Sequence, residues 1–382
     1  MPDRKDKKFT KENLSDFSKR NNVQAFEEFE PEWVKMSEIE AKTQPWFWPG
    51  IIPSSTLTLF GGRGGIGKSL LLLYLASKTS SGEAFHSGGI EHKLSKGSVI
   101  LLSAEDDAEQ QIKPKLVAMN ADCEKINLLT SKIGSISGKK KFIELTNDLN
   151  ILENKIKELH DVKLIIIDPI TYFIGDLRDN YNCDVANFLQ SLICLAKKYD
   201  IAVILNKHLR KSSTGVKGVS AAVDEVGGAG AWTNTPRRSW LITNHPEEPL
   251  IKIITKMKDN IGSQENECLG YKITPVKILQ NNSSIETTTL CWLQEMQRIS
   301  AEDAVNETTY EKSKLQYAID YIFAYLKENG QSVVAHICEK ALKKGIKEKT
   351  FRRATVEIEE NHTHMVKLEK GIRGAKIYSL TN

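Results

Sequence analysis

Between residues 45 and 298, short runs of branched aliphatics alternate with segments whose apolar positions recur at helical spacing. Residues 56–60, 98–103, 163–168 and 201–206 are short and almost wholly apolar, which is how strands buried on both faces read. Residues 70–76, a stretch over about 108–121, the set Leu149, Leu152, Ile156 and Leu159, and the set Val185, Phe188, Leu189, Leu192 and Leu195 supply the helices between them. Asp184 is placed to cap the last of these. Residues 126–129 make a further short strand candidate, and 80–96 and 135–141 read as loops, the second one basic. The alternation predicts a doubly wound α/β domain whose ligand sits at the C-terminal ends of its strands. Residues 239–243, 250–256 and 270–278 then read as a closing set of antiparallel strands.

The flanks have a different texture. Residues 1–44 are polar and charge-mixed, a loosely ordered arm with a short helix expected around 31–34. Pro45-Trp46-Phe47-Trp48-Pro49-Gly50 follows. Trp46 and Trp48 serve either to stack on a nucleotide base or to plug the end of a sheet, and the plug is the favoured reading. Residues 299–312 turn polar and read as a linker. Beyond it, Leu315, Ile319, Ile322, Phe323 and Leu326 mark an amphipathic helix stopped at Asn329-Gly330. Residues 332–343 and 347–359 predict two more helices, and 365–368 and 375–380 a closing pair of strands. Three helices and a β-hairpin over 313–382 is the winged-helix layout.

Chemistry enters at Gly62-Arg63-Gly64-Gly65-Ile66-Gly67-Lys68-Ser69, followed by Leu70. The spacing G-x-x-x-x-G-K-S, with a strand before it and a helix after it, is that of a phosphate-binding loop. Glycines let main-chain N–H groups close around a phosphate, and the helix N-terminus adds its positive dipole end. Lys68 then reaches the β- and γ-phosphates of ATP, and the Ser69 hydroxyl ligates Mg²⁺. Asp168, closing its aliphatic strand, stands where a second Mg²⁺-binding oxygen is needed. Glu105, Asp106 and Asp107 end the strand over 98–103. One of these acids can hold the attacking water, or all of them can simply cap the next helix.

Composition narrows this little. A net charge of +4 over 382 residues is mildly basic, and 40% hydrophobic with 27% charged residues is ordinary for a globular protein. Six scattered cysteines without a C-x-x-C pair fit free thiols, neither a zinc site nor a disulfide framework. No apolar stretch follows the N-terminus, and none approaches the roughly 20 residues that span a bilayer. The expectation is a cytoplasmic protein with no membrane partner.

Taken in order, the phosphate loop, Leu102-Ser103-Ala104-Glu105-Asp106-Asp107, Ile166-Ile167-Asp168-Pro169, Asn206-Lys207-His208-Leu209, Gly227-Gly228-Ala229-Gly230-Ala231-Trp232 and Lys256-Met257-Lys258-Asp259-Asn260 resemble the RecA-like ATPases of the RepA type. These are hexameric replicative helicases of plasmids and mobile elements, and the resemblance covers about 45–278. It departs from the family pattern in having Ala229 where Ser is frequent, and Pro236 within the finger segment. The resemblance implies a homo-hexamer that hydrolyses ATP at subunit interfaces. It makes Glu105 the water-orienting base and His208 the sensor of the γ-phosphate. Arg237, Lys256 and Lys258 become candidate cations for a neighbour's nucleotide. In such rings the loop over 207–218 faces the channel, so Lys207, Arg210, Lys211 and Lys217 are candidates for phosphates of single-stranded DNA. A solvated basic loop is the plainer reading, and the stretch carries no aromatic to stack on bases.

In the C-terminal unit, Phe351, Ala354, Thr355 and Ile358 share one helical face, with Lys349, Arg352 and Arg353 on the other. That suits a recognition helix on duplex DNA, with Lys367, Lys370, Arg373 and Lys376 on the wing. Against this, Glu357, Glu359 and Glu360 make the helix end acidic, and protein docking is the alternative role of a winged helix. The functional expectation is an ATP-dependent DNA motor. Its rivals are a nucleotide-switched regulator of DNA binding, and a recombination or loading factor.

Overall fold

The computed structural model describes residues 31, 33–133, 140–209, 228–246, 248, 250–262, 268–280, 283–296, 307–362, 365–371 and 374–381. The chain divides into two units, Met1–Thr43 and Gln44–Asn382. The described part of the first holds one 3-10 turn, Met36–Glu38, so the helix expected at 31–34 lies a few residues further on.

The second unit begins with the hairpin β1 (Trp46–Trp48) and β2 (Ile52–Pro53), then β3 (Leu57–Gly62), the phosphate loop and α1 (Lys68–Ser81). Next come the hairpin β4 (Phe85–Ser87) and β5 (Ile90–His92), then β6 (Ser98–Ser103), a π-helical turn Ala108–Ile112 running into α2 (Lys113–Ala118), and β7 (Ile126–Leu129). A small ladder of β8 (Lys132–Ile133) and β9 (Lys140–Lys141) leads to α3 (Leu145–Leu159) and β10 (Val162–Asp168). Then follow α4 (Asn182–Tyr199), β11 (Ala202–His208), the one-turn α5 (Ala231–Asn234), β12 (Arg238–Asn244), β13 (Ile251–Asp259), β14 (Leu269–Gln280) and β15 (Ser283–Trp292).

One nine-stranded sheet organises these elements, in the order β15-β14-β13-β12-β3-β11-β10-β6-β7. The six strands from β12 to β7 run parallel, and β13, β14 and β15 extend the sheet antiparallel. The large, mostly parallel sheet fits a RecA-like α/β fold. Strand β10 explains why the aliphatic runs are continuous. Ile165 and Ile167 face a core built with α3 and α4, whereas Leu164 and Ile166 face a second core built around α1. Side chains alternate across a strand, so a strand covered on both faces needs apolar residues at every position.

Several expectations change. Residues 80–96 are not all loop, because Gly88 and Gly89 at φ 58° and 77° turn the β4–β5 hairpin, whose strands are too short to show alternation. Strand β12 is antiparallel only to β13; on its other side it runs parallel to β3. Strand β15, rich in Thr and Ser, had no place in the expected set. The helix after β6 ends at Ala118 and opens with a π turn capped by Asp107. Asp184 caps nothing: it lies inside the first turn of α4 and pairs with Arg178 at 2.6 Å. Trp48 is 0% exposed, edge-on to Phe85 and Trp292, and so plugs the sheet end, while the Trp46 ring lies against the Arg238 guanidinium at 4.9 Å.

The C-terminal residues build a core of their own from α6 (Glu307–Asn329), α7 (Val334–Lys343) and α8 (Glu348–Asn361). A small antiparallel sheet accompanies them, β16 (Ser332–Val333), β17 (Val366–Lys370) and β18 (Lys376–Leu380), ordered β16-β18-β17. The strand β16 is additional to the expected hairpin. No helix among the described residues is long and apolar enough to cross a membrane.

Candidate functional site: a phosphate loop read by two strand ends

Local chain geometry builds the loop. Gly67 caps α1 at φ 98°, a left-handed conformation that side chains disfavour, and a Cβ there would meet Ile273 of β14 at 2.7 Å. At Gly62 a Cβ would lie 2.6 Å from the Ile242 carbonyl of β12. The loop therefore closes tightly onto its neighbouring strands and delivers the N-terminus of a 14-residue helix, α1, beside it.

Lys68 is the centre of the arrangement. Its ammonium donates to the carbonyls of Gly62 at 2.8 Å and Arg63 at 2.9 Å, and to His208 Nδ1 at 3.1 Å. An ammonium has only donors, so His208 accepts on Nδ1 and carries its proton on Nε2. That Nε2 faces Glu105 Oε2 at 3.2 Å. Lys68, His208 and Glu105, from three separate elements, thus form one hydrogen-bonded chain. Burial pushes the Lys68 ammonium down to about 8, against the opposing pull of Asp168 and Glu105.

A pH effect follows with a definite sign. A triphosphate favours the charged form and raises Lys68 again, so nucleotide binding takes up a proton near pH 8. Affinity is expected to be flat below about pH 7 and to fall up to about tenfold per pH unit above 8. Calorimetry in two buffers of different ionisation heat measures the uptake; pH-independent binding from 7 to 9.5 contradicts it.

The three acids after β6 are told apart by their partners. Asp107 accepts from the backbone N–H of Glu109 at 3.0 Å and Gln110 at 2.7 Å, and is a cap. Asp106 is held by Lys115 at 3.1 Å. Glu105 is the one turned toward His208.

Asp168 ends β10 with 7% of its surface exposed and accepts from the Ser69 hydroxyl and from Asn206 Nδ2 of β11. Burial pushes its carboxyl up; the Asn206 and Ser69 hydrogen bonds and the Lys68 charge pull the other way. Ser69 and Asp168 offer hard oxygen donors side by side, which fits Mg²⁺. Asn206 is a residue whose role the pattern did not reveal, although a lone amide closing an aliphatic strand was its visible signal.

The remaining candidates lie elsewhere. Lys207 is a correction to the expected DNA contacts. It is 2% exposed, ion-paired with Asp179 at 3.2 Å and set over the Trp232 ring at 4.4 Å, so its charge is not presented to a phosphate chain. Arg210, Lys211 and Lys217 lie outside the described residues, as does Arg373. Arg237 is exposed just before β12, and Lys258 donates to the Asn234 carbonyl at 2.8 Å. Burial and the nearby Arg237 charge push Lys258 down. Lys256 pairs with Asp259 at 3.3 Å, and the buried Arg238 pairs with the same carboxylate at 3.1 Å.

Register separates these cations from the phosphate loop of the same chain. Arg238 is level with Thr58 and Ile242 with Gly62, so Arg237 begins roughly 16 Å from the loop end of the sheet. In the C-terminal unit, Lys349, Arg352 and Arg353 are exposed on α8, with Arg352 tied to Glu348 at 2.6 Å. With Leu315 and Val356 they line a groove of about 620 Å³.

A profile of the AAA domain family matches residues 25–214, the segment that carries the phosphate loop, Glu105, Asp168 and His208. No curated protein matches the chain. Among the solved structures that match, one described as an ATPase domain aligns at a TM-score of 0.40 and 14% identity, over 56% of this chain and 81% of that one. The domain match and the loop geometry support an ATPase.

Proposed function

We propose that this chain is an ATP-driven motor on single-stranded DNA that works as a ring of identical subunits, a RepA-like helicase of a plasmid or mobile element. The observation that carries the reading is the separation of the two halves of the chemistry. One end of the sheet bears the phosphate loop, Glu105 and His208. The other bears Arg237 and Lys258, beyond the reach of a side chain to their own loop. A ring joins the two ends, one from each neighbour, at every interface.

Within a subunit, main-chain N–H groups and Lys68 bind the triphosphate. Ser69 and Asp168 would hold Mg²⁺, which supplies charge neutralisation at the phosphates. Glu105 orients the attacking water and takes its proton. His208, hydrogen-bonded to both Lys68 and Glu105, registers whether Lys68 has moved to a γ-phosphate. Arg210, Lys211 and Lys217, which follow in the sequence, are the proposed contacts to DNA phosphates.

A second reading concerns the C-terminal unit, proposed as a winged helix. A free recognition helix would present unpaired cations, whereas α8 presents Arg352 already paired, beside the exposed Val356 and the half-buried Leu315. That favours docking of a protein partner over duplex DNA for this face.

Sedimentation with Mg²⁺ and a non-hydrolysable ATP analogue, followed by strand separation on a forked duplex, tests the motor. Assembly into a ring that unwinds, with hydrolysis stimulated by single-stranded DNA, is the expected result. A monomer or dimer that hydrolyses ATP without separating strands supports the regulator instead.

A further inference from the structure

Strand β11 lies between the strand that carries the phosphate loop and the one that ends in Asp168. Its interior is apolar from Ala202 to Leu205, and then Asn206 places an amide in the same environment, 1% exposed. The register sets Leu205 beside Ile167, which brings Asn206 level with Asp168. Asn206 Nδ2 donates to Asp168 Oδ1. A carboxylate only accepts, so this orientation of the amide is chemically required and its oxygen must point the other way. That oxygen, Asn206 Oδ1, is buried and has no hydrogen-bond partner among the described residues. Burying half an amide unsatisfied is costly, and such groups recur where a ligand completes them. The neighbouring donor set is Ser69 and Asp168, and Mg²⁺ dehydrates reluctantly, keeping several waters in its shell.

We infer that Asn206 is a positioning residue for the metal site, fixing the Asp168 carboxylate with its amide nitrogen and accepting with its amide oxygen from a water carried by the divalent cation. The inference rests on the ATPase reading above and adds to it a residue that touches neither phosphate nor attacking water. It also divides the labour along β11. Asn206 serves the metal, and His208, two residues on and on the same face, serves the γ-phosphate end.

The test is calorimetric titration of the full chain with a non-hydrolysable ATP analogue, once with Mg²⁺ and once with EDTA. Partners that orient metal ligands from behind typically contribute 10- to 100-fold in metal affinity. Asn206→Leu is therefore expected to keep its affinity in EDTA within about twofold and to need about 10- to 100-fold more Mg²⁺ for half-maximal tightening. Asn206→Thr, whose hydroxyl both donates and accepts, should recover part of that shift, and it keeps the question answerable if the leucine variant does not fold. An unchanged Mg²⁺ requirement in both variants overturns the inference. So does an equal loss of affinity in Mg²⁺ and in EDTA, which marks a packing role. Wild-type protein that takes up no analogue under either condition sinks the nucleotide reading itself, a separate and recognisable failure.

Discussion

Glu105→Gln is expected to bind ATP with Mg²⁺ nearly as well as the parent and to hydrolyse it about 10²- to 10⁴-fold more slowly. The asymmetry comes from the geometry. Phosphate capture belongs to the loop, Lys68 and the N-terminus of α1, and Glu105 reaches Lys68 only through His208 and its charge. The Glu105 carboxylate can accept the proton of the attacking water, and glutamine keeps the shape while losing that capacity. Neither neighbouring acid can take over. Asp107 is committed to two backbone N–H groups, and Asp106 to Lys115. Loss of the Glu105 charge also removes one of the influences that hold the Lys68 proton, so the variant's affinity should start to fall at a lower pH than the parent's. Single-turnover hydrolysis together with equilibrium binding separates the effects. Parental turnover in Glu105→Gln would assign the water to another group.

Arg237→Ala is expected to lose hydrolysis by a comparable or larger factor, about 10³- to 10⁵-fold if it acts as an arginine finger. The more informative result is a mixture. Lys68→Ala subunits have a broken loop and an intact finger, and Arg237→Ala subunits the reverse. Combined, they form some interfaces in which an intact loop meets an intact finger, and activity should return in proportion. Two inactive variants that stay inactive together would place Arg237 in its own subunit's chemistry, contrary to the roughly 16 Å that the strand register puts between them. Lys258→Ala in the same assay decides which of the two adjacent cations carries the larger share.

Elements defined by neighbours in the chain are legible from the residues alone. The phosphate loop is one, because its glycines, lysine and serine act through main-chain geometry set within eight residues. The strands over 163–168 and 201–206 are others, since a strand covered on both faces must be apolar at consecutive positions. The triplet Glu105-Asp106-Asp107 is legible only as a set. Its members divide into a histidine partner, an ion pair and a cap according to what packs beside each, and nothing in the pattern marks Lys115 and the π turn as such partners.

Long-range pairing decided the rest. Lys207 and His208 are adjacent in the chain and point to opposite faces of β11, one into Asp179 and Trp232, the other to Lys68 and Glu105. Alternation announces the divergence, but only the packing of the 228–234 segment says which face is closed. The same holds for β12, whose parallel pairing with β3 carries Arg237 away from the loop, and for Asn206, an ordinary amide until β10 sets Asp168 beside it. A sequence by itself determines what chain geometry and burial impose on consecutive residues. Which charge meets which partner depends on contacts between positions tens to hundreds of residues apart, and those exist only once the sheet has assembled.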